Sequence, residues 1–423
     1  MNLLVFVNTL GLGGTEKAAC AWSRGLKERG HNVNVVSLVD GPRREDLRRW
    51  NVPSRIVTRA DELREILLST KPDAIHAHAP GHPHPGDVLG EVLIALPKIP
   101  VVQTNIFGHL DNPKEDRWTD YRLFISWTSC VQAARRSFRP LNERFFRRAS
   151  VAVYPVDPIE PAPPAAVSEF RQRLEIADDE VLFGRISRPD PVKWTPLAVD
   201  AFLLALAQNK KIKLLLREPP PEVARQLLSS EHKKQFVILP ATADDKELLL
   251  TMSALDVVLH TSRLGESFGY GIAEPMNLGK PVITHSVPSV DQAQLELVRH
   301  EECGYLANIP VTMAEAMLRL AGDRELRTKM GTRSRQHIRE LANAETSVSR
   351  LEAILNVAIE NRPNPFARED LETARQAALN LDQHQFGHGS AEQRPLHLLY
   401  YRSRFYQLRQ MIKIRFLRRN GLF

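Results

Sequence analysis

Short hydrophobic runs rich in β-branched residues alternate with longer stretches of helical character over most of the chain. The first run is followed by a segment, Gly14 to Arg29, that mixes polar and apolar residues as a helix does. Strands that alternate with helices form parallel sheets covered on both faces, so the pattern predicts an α/β fold. The predicted strands of the first half are Leu3–Val7, Val33–Leu38, Ala74–Ala77, Val101–Thr104, Phe124–Trp127 and Val151–Tyr154.

A proline-rich segment interrupts this rhythm between Pro155 and Pro164. Because proline cannot continue a helix or a central strand, the segment is interpreted as a linker. The alternation then restarts, which predicts two Rossmann-like halves, an N-terminal one over residues 1–160 and a C-terminal one over residues 161–360. The predicted strands of the second half are Val181–Arg185, Lys213–Leu216, Phe236–Leu239, Val257–His260, Pro281–Thr284 and Gly304–Leu306.

The C-terminal region has a different character. Residues 340–360 are predicted to form one long helix, and residues 361–423 are interpreted as a linker followed by a basic amphipathic tail. In this tail an apolar stripe with helical spacing is flanked mainly by cations, which suits either docking on the protein or contact with an anionic membrane surface. Nucleic acid is the least favoured partner because no nucleic-acid-binding motif accompanies the charge. The stripe consists of Tyr401, Phe405, Leu408, Ile412 and Phe416.

The distribution of charge also separates the C-terminal tail from the rest of the chain. The 423 residues contain 57 Lys and Arg against 50 Asp and Glu, a formal charge of +7. Residues 393–423 hold eight of the cations and no acid, so the remainder has 49 basic against 50 acidic residues. The main body is therefore nearly neutral, and any phosphate that it binds must be held by a few placed groups rather than by a general basic field.

Cysteine usage and hydropathy bear on location. Cys20, Cys130 and Cys303 are far apart and lack metal-ligand spacing, as expected for reduced thiols in a cytoplasmic protein. No apolar run approaches the ~18–20 residues that span a bilayer, and the N-terminus lacks a basic signal-peptide region. We expect a cytoplasmic protein, peripheral at most on the cytoplasmic membrane face.

The first candidate for anion binding is the glycine-rich turn after the first predicted strand. Gly13 and Gly14 open the following helix, where free backbone N–H groups and the helix dipole favour an anion. The turn is not the G-x-G-x-x-G dinucleotide fingerprint. It therefore fits a phosphate-binding loop and a tight strand-to-helix turn equally well.

The second candidate follows the first strand of the second half. Open α/β sheets bind ligands at the carboxyl ends of their strands, and Arg185 and Lys193 lie there. An arginine can clamp phosphate oxygens bidentately and a lysine can neutralise them. Two alternatives stay open: the arginine could be Arg188, or the segment could be a solvated basic loop.

The third candidate is a pair of carboxylates, Glu266 and Glu274, around a helix predicted to begin near Phe268. N–H groups of its first turn would face a diphosphate. Glu274, ~9 Å further along the axis, would accept hydrogen bonds from ribose hydroxyls. The alternative is an amphipathic helix with two surface carboxylates.

This segment resembles a known family. Glu266 and Glu274, with seven residues between them, match the E-x(7)-E motif of retaining glycosyltransferases with the GT-B fold, in the large family four that includes bacterial mannosyl- and glucosyltransferases. The similarity covers roughly residues 1–355. The further matches are Ser267-Phe268-Gly269, Gly279-Lys280-Pro281-Val282-Ile283, Gly13-Gly14-Thr15-Glu16, and Gly184-Arg185 with Lys193.

The resemblance implies two Rossmann-like domains facing across a cleft and metal-independent transfer of a hexose from a UDP- or GDP-linked donor, with no cofactor. It implies that Arg185 and Lys193 hold the diphosphate, that Glu266 contacts the sugar or the phosphates, and that Glu274 binds the ribose. Fixed cations would stabilise the departing nucleotide. The implied phosphate cradle consists of Gly13, Gly14, Phe268, Gly269 and Tyr270.

Acceptor-side residues are expected in the first half. His76 and His78 share a face of a strand whose end resembles the family's H-x-H pattern, and His78, nearer the carboxyl end, is the better candidate. The pair lacks a third ligand, so no metal site is predicted. Where some relatives carry a histidine after the next strand, this chain offers Asn105 or His109.

The resemblance thus predicts a hexosyltransferase whose acceptor is lipid-linked or part of a surface glycan such as a polysaccharide or lipopolysaccharide. The alternative is a non-catalytic nucleotide-sugar-binding or scaffold protein of a glycan assembly complex. A Rossmann-type dehydrogenase is a third possibility and has only the glycine-rich turn in its favour.

Overall fold

The structure is a computed structural model that describes residues 1–82, 87–186, 193–287 and 291–384. Its described residues form two compact units. The first contains Met1–Asp157 and Ala342–Leu379, and the second centres on Pro158–Leu341. Each unit is built on a parallel sheet, which confirms the predicted α/β class and the two Rossmann-like halves.

The first unit has a seven-stranded parallel sheet in the order β3-β2-β1-β4-β5-β6-β7. Its strands are Asn2–Thr9 (β1), Asn32–Val39 (β2), Ser54–Ile56 (β3), Ala74–Ala79 (β4), Val101–Asn105 (β5), Tyr121–Phe124 (β6) and Ala149–Val151 (β7). Its helices up to the linker are Gly14–Glu28 (α1), Arg43–Arg49 (α2), Ala60–Thr70 (α3), Val88–Ile94 (α4), Pro113–Trp118 (α5), Trp127–Arg136 (α6) and Glu143–Phe146 (α7).

Two strands of this sheet lie earlier in the chain than predicted. The predicted strand Phe124–Trp127 is wrong beyond Phe124, because Ser126 caps α6 in a reciprocal capping box with Ser129 and Trp127 begins that helix. The predicted strand Val151–Tyr154 overlaps β7 only at its first residue. Both predictions placed the strand end too late. In one case the apolar run continues through a helix cap, and in the other it continues past the end of the strand.

The second unit has a six-stranded parallel sheet in the order β10-β9-β8-β11-β13-β15, and a separate two-stranded ladder pairs β12 with β14. Its strands are Val181–Ile186 (β8), Ile212–Arg217 (β9), Phe236–Leu239 (β10), Val257–His260 (β11), Gly265–Glu266 (β12), Val282–Thr284 (β13), Asp291–Gln292 (β14) and Gly304–Leu306 (β15). Its helices are Pro164–Arg173 (α8), Leu197–Gln208 (α9), Pro221–Leu228 (α10), Asp245–Ala254 (α11), Tyr270–Asn277 (α12), Gln294–Leu297 (α13), Pro310–Gly322 (α14) and Arg324–Leu341 (α15), with one 3₁₀ turn at Lys233–Gln235.

The chain then returns to the first unit. The predicted single helix over residues 340–360 is wrong, because α15 ends at Leu341 and a new helix, Ala344–Ile359 (α16), begins after the cap Asn343. The side chain of Asn343 accepts a hydrogen bond of 2.9 Å from the backbone of Thr346. A last helix, Ala367–His384 (α17), occupies a region interpreted as linker.

Buried polar contacts fasten these two helices, which is why the predicted division at residue 360 differs from the observed one. Trp22 of α1 donates through Nε1 to Ser347 of α16 at 2.9 Å. Asp370 of α17, fully buried, accepts from Ser150 of β7 at 2.7 Å and from Arg350 of α16 at 2.6 Å. The helices thus complete the first unit. Within the described ranges no helix is long and apolar enough to cross a membrane, and the predicted tail, residues 393–423, lies outside them.

Candidate nucleotide-sugar site

Arg185 lies near the carboxyl end of β8, in the second unit, and its side chain is fixed by neighbouring loops. It donates through Nη2 to the carbonyl of Thr261 at 3.0 Å and through Nε to that residue's hydroxyl at 3.3 Å. The residue is only 3% exposed, so the alternative of a solvated basic loop is wrong for Arg185. Burial lowers the pKa of the guanidinium to about 10 against the opposing charge of Glu266, and the group stays cationic at neutral pH.

Trp194 explains how this arginine is oriented. The Arg185 guanidinium carbon lies 4.4 Å from the centre of the Trp194 ring, a cation–π distance. The alternative cation, Arg188, lies outside the described residues. The aromatic ring thus holds the Arg185 fork in place from one side while Thr261 holds it from the other.

Glu266 is the centre of a cluster of charges. Lys193 lies with its ammonium 3.3 and 3.4 Å from the two carboxylate oxygens, and His260 at the end of β11 lies with Nε2 3.1 Å from one of them. Burial raises the pKa of Glu266, but the hydrogen bond and charge of His260 and the charge of Lys193 outweigh that effect and hold the pKa below its usual value. Two sequence-predicted residues are therefore in contact, and His260 joins them.

Backbone geometry fixes where Glu266 stands. It forms the short ladder with β14, and its backbone N–H donates to Gln294 at 3.0 Å. Gly265 before it has a φ of 61°, in the left-handed region, and a Cβ there would overlap the carbonyl oxygen of Asp291. Only glycine fits this position without moving the ladder.

Helix α12 begins immediately after this ladder. Its cap, Gly269, has a φ of 104°, and Tyr270 is its first residue, two positions later than the predicted start near Phe268. Gly271 in its first turn lies close to the end of β8, because a Cβ there would be 3.6 Å from the carbonyl oxygen of Ile186. The strand end that carries Arg185 and the positive end of α12 are therefore neighbours.

Glu274 lies on α12 and is 8% exposed. The side chain of Glu266 is 18% exposed. The alternative of two surface carboxylates on an amphipathic helix is therefore wrong. A buried carboxylate on the helix that follows the Glu266 cluster suits the recognition of hydroxyl groups.

The glycine turn of the first unit precedes α1 as predicted. Gly13 caps the helix with an extended backbone and Gly14 is its first residue. No side chain caps this helix, so the N–H groups of its first turn lack the side-chain acceptor that Ser or Asp supplies elsewhere. This arrangement fits an anion-binding turn, and the assignment of Gly13 and Gly14 to the donor stays a prediction.

His78 lies in β4 among aromatic rings. Its ring centre is 4.6 Å from that of His76 and 5.7 Å from that of Trp22, and the residue is 2% exposed. Burial, with a smaller effect from His76, lowers the pKa of His78 well below its usual value, so the ring is neutral at pH 7. Neither ring nitrogen has a hydrogen-bond partner within the described residues, and its acceptor-side role stays a prediction.

Asn105 and His109, the candidates for the family histidine, bind each other. The Asn105 amide donates to the His109 carbonyl at 2.6 Å and accepts from its N–H at 3.2 Å. Asn105 is fully buried, whereas the His109 imidazole is 35% exposed and lies 3.6 Å from Asp111. The geometry therefore favours His109 as the solvent-accessible candidate, whereas the Asn105 side chain holds the loop of His109 through its two hydrogen bonds.

Sequence reasoning overlooked His260 and Thr261 as parts of the site. A usable signal existed, since His260 ends a strand next to the E-x(7)-E segment and carboxyl ends of parallel strands meet at one edge. No role was predicted from the sequence for Trp194 either. Its role depends on a contact across the loop that spacing does not reveal.

Comparison with known sequences agrees with this geometry. Residues 167–337 match the family described as glycosyl transferases group 1, and residues 13–174 match the glycosyl transferase 4-like domain. The N-acetyl-alpha-D-glucosaminyl L-malate synthase of Bacillus anthracis is 30% identical over 192 residues, 44% of this chain. The matched region is 48% of that relative, so the chain spans about half of its length.

Solved structures extend the similarity to most of the chain. Anabaena HepE, in complex with UDP and glucose, is 18% identical with a TM-score of 0.65, covering 84% of this chain and 99% of that one. A glycosyltransferase from Rickettsia africae is 13% identical with a TM-score of 0.70, covering 85% and 99%. At such identities the likeness concerns the fold alone.

Proposed function

Because the chain belongs to the glycosyl transferases group 1 family and has the GT-B fold, we propose that it transfers a hexose from a nucleotide sugar to a hydroxyl acceptor. The observation that carries this proposal is the convergence of Arg185, Lys193 and Glu266 beside the positive end of α12. A diphosphate placed there meets two cations and the positive end of a helix dipole. The donor is UDP-linked in this proposal, since HepE was solved with UDP, and GDP is the other candidate base.

The proposed chemistry retains the configuration of the sugar, as the family resemblance implies. The acceptor oxygen bonds to the anomeric carbon on the face from which the diphosphate oxygen leaves, and the acceptor's proton passes to the leaving phosphate. Arg185 and Lys193 neutralise the charge that develops on the diphosphate. Glu266, kept ionised by His260 and Lys193, contacts the sugar or positions Lys193, and Glu274 binds the ribose.

The proposed reaction needs neither a metal nor a cofactor, because the two cations supply the charge that a divalent ion would otherwise provide. Donor turnover in the presence of a chelator such as EDTA is expected to equal turnover without it. A loss of activity on chelation, restored by a divalent cation, would contradict this part of the proposal.

The site assignment is tested by removing single groups. Lys193→Ala should lower kcat by about 10²–10³-fold, since it removes one fixed donor to the leaving group. Glu274→Ala should raise the donor KM by about 10-fold or more, since it removes hydrogen bonds to a carboxylate. Nucleotide release from a panel of UDP- and GDP-sugars is the measurement, with Lys210→Ala and Glu222→Ala as controls at exposed positions of the same unit.

The same assay separates an enzyme from a scaffold protein. Thermal stabilisation by a nucleotide sugar, without nucleotide release in the presence of a competent acceptor, would favour the non-catalytic alternative. Stabilisation by a nicotinamide dinucleotide alone would favour a dehydrogenase. Unchanged turnover in both Lys193→Ala and Glu274→Ala would contradict the proposed site.

The proposed acceptor is lipid-linked or part of a surface glycan, and the proposed location is the cytoplasm with peripheral contact to the cytoplasmic membrane face. The basic tail, residues 393–423, supports this contact through its charge and apolar stripe. Removing the tail should weaken salt-sensitive binding to anionic liposomes and spare donor binding. Equal liposome binding without the tail would refute its role.

A further inference from the structure

A cavity of about 470 Å³ lies within the first unit, whereas the charge cluster around Glu266 belongs to the second unit. Its volume is that of a small-molecule site. Four arginines line it, Arg122, Arg139, Arg144 and Arg148, together with apolar rings that include Phe124 and Phe145. None of these residues belongs to the donor or acceptor predictions.

The cavity lies on one face of the sheet at its β6–β7 edge. Arg122 pairs with Ala149 and Phe124 with Val151, so these residues share a face. Ser150, between the two β7 residues, points to the other face and binds Asp370 of α17. The cavity and the C-terminal helices therefore occupy opposite faces of the same edge.

Cations exceed anions around this cavity. Residues 135–148 contain six arginines and one acid, Glu143. Arg122 pairs with Asp116, whereas Arg139 and Arg144 have no ion-pair partner within the described ranges and are exposed.

Arg148 is oriented without an acid. It lies 4.9 Å from the centre of the Tyr121 ring and donates to Asn361 at 2.7 Å. Its charge therefore remains available to the cavity.

Arg122 forms part of the wall and is largely desolvated. Burial lowers its pKa, Asp116 opposes that effect, and Arg139 adds to it by like-charge repulsion. Two neighbouring guanidinium groups that repel one another gain when an anion lies between them. The acids Asp116 and Glu115 near Arg122 balance only part of the positive charge.

We propose that this cavity binds the phosphoryl group of an amphiphilic phosphate ester. A phosphate monoester carries ~1.5–2 negative charges at pH 7 and a phosphodiester carries about one, and both present oxygens that match the guanidinium fork bidentately. The half-buried ring of Phe145, supported by the fully buried ring of Phe124 at a centre distance of 6.1 Å, offers an apolar wall to the ester's other part. Such a ligand is either a lipid with an anionic headgroup or a soluble phosphorylated molecule.

The test compares two full-length variants with equal loss of charge. The cavity variant, Arg139→Gln with Arg144→Gln, removes the two cavity arginines that have no ion-pair partner within the described ranges. The α15 variant, Arg324→Gln with Arg333→Gln, is the control and removes two exposed arginines of α15. Inorganic pyrophosphate is titrated calorimetrically, in chains that also carry Lys193→Ala so that the proposed donor site is weakened equally. Cosedimentation with vesicles of phosphatidylcholine, with and without phosphatidylglycerol, forms the second arm.

The cavity variant should bind at least about 10-fold more weakly than the α15 variant in one arm or both. A difference confined to phosphatidylglycerol vesicles identifies a lipid headgroup, and one seen with pyrophosphate identifies a free phosphoryl group. Equal affinities of the two variants in both arms would overturn the proposal. Nucleotide release, measured in the cavity and α15 variants without Lys193→Ala, should be the same in both. The proposal for the cavity and the proposed function can therefore be contradicted independently of each other.

Discussion

At the scale of single residues, Glu266 is the group whose surroundings matter most. It is a partly buried carboxylate that stays ionised because His260 and Lys193 face it, and its backbone is fixed by the β12–β14 ladder. Removing one partner of such a cluster leaves the others with uncompensated charge. Substitutions around Glu266 therefore test the site more sharply than substitutions at its rim.

His260 is expected to act as a positioning residue for Glu266. In His260→Ala the pKa of Glu266 should rise, because the hydrogen bond and the charge that lower it are lost. The acid limb of the kcat/KM profile should then move to higher pH, and activity at pH 7 should fall by about 10-fold. A profile of kcat/KM between pH 4 and 9 measures both effects.

His232→Ala is the matched control for His260→Ala, because His232 is a partly exposed histidine of the same unit. Its profile should coincide with that of the unmodified protein. An acid limb that stays in place in His260→Ala, whatever the drop in rate, would show that His260 does not set the ionisation of Glu266.

Gly265 should not tolerate a side chain. Gly265→Ala puts a Cβ against the Asp291 carbonyl in a left-handed conformation, so the free energy of unfolding should fall by at least about 1–2 kcal/mol. Gly322→Ala, at the last position of α14 where a Cβ meets nothing within 4 Å, should be neutral or stabilising. Urea unfolding of the two variants measures the contrast, and equal stabilities would show that the ladder adapts.

That Arg185, Lys193 and Glu266 lie close together could be predicted from sequence, whereas their surroundings could not. Arg185 lies at the end of β8, and Lys193 and Glu266 lie in segments that follow strand ends, which meet at one edge of a parallel sheet. The burial of His78 and the pairing of Asn105 with His109 depend on contacts that residue spacing does not encode. Their acceptor-side roles accordingly remain predictions.

At the scale of elements, α17 contributes a buried carboxylate, Asp370, besides its buried apolar residues Leu371 and Ala374. Asp370 is fully buried and accepts hydrogen bonds from Ser150, Asn364 at 2.9 Å, and Arg350. Its neighbour Glu369 also meets Arg350, at 2.7 Å, but its side chain is 64% exposed. The two acids therefore share a partner and differ in solvent access.

Asp370→Ala should destabilise the first unit by about 3–5 kcal/mol, because it removes the buried acceptor that Ser150, Asn364 and Arg350 share. Glu369→Ala should cost no more than about 1 kcal/mol, as is usual for an exposed ion pair. Tryptophan fluorescence during urea unfolding suits the measurement, since four of the five tryptophans lie in the first unit. Similar losses in both variants would contradict the proposed attachment.

Helix boundaries explain where element prediction failed. Ser126 and Asn343 each end one element and begin another within a few residues. Both are ordinary N-cap residues. Giving the capping residue more weight than the continuing apolar run would therefore have predicted these helix boundaries correctly. Most other strand positions followed from the hydrophobic runs because parallel strands are buried on both faces.

At the scale of the whole molecule, the chain is not divided in sequence order. Helix α16 packs on α1, β4 and β5, so the first unit is incomplete until the C-terminal helices are present. Each large apolar side chain buried by α16, such as Leu351 or Ile354, contributes ~1.5–3 kcal/mol. Summed over the buried apolar residues of α16, this contribution is comparable with the whole stability of an ordinary domain, ~5–15 kcal/mol.

A chain ending at Leu341 should therefore fail to fold its first unit. Trp22 would lose Ser347 and the apolar cover of α16, so its fluorescence should shift to the red and trypsin should cleave the first unit rapidly. A chain ending at His384 keeps every described helix and should resist trypsin as the full chain does. Equal resistance of both shortened chains would contradict the role of α16 and α17.

Net charge proved a poor guide to local charge. The first 392 residues sum to nearly zero, yet residues 135–148 hold six arginines against one acid. A sum over hundreds of residues averages such a cluster away, and only the fold shows that four arginines line one cavity. The protein is thus proposed to bind phosphate at two sites, the cluster around Glu266 and the arginine-lined cavity. The proposed contact of its tail with anionic membranes is separate from both.

The return of the chain to its first unit also bears on the order in which the protein is made. Val156 and Asn343 lie side by side in a bridge, so everything between them is inserted between two adjacent points of the first unit. Synthesis of that insertion takes roughly 10–40 s at about 5–20 residues per second. During this interval the sheet of the first unit has already been synthesised, but α16 has not. The face of the sheet that α16 later covers is therefore exposed. The second unit in the sequence is therefore the first that a nascent chain can complete.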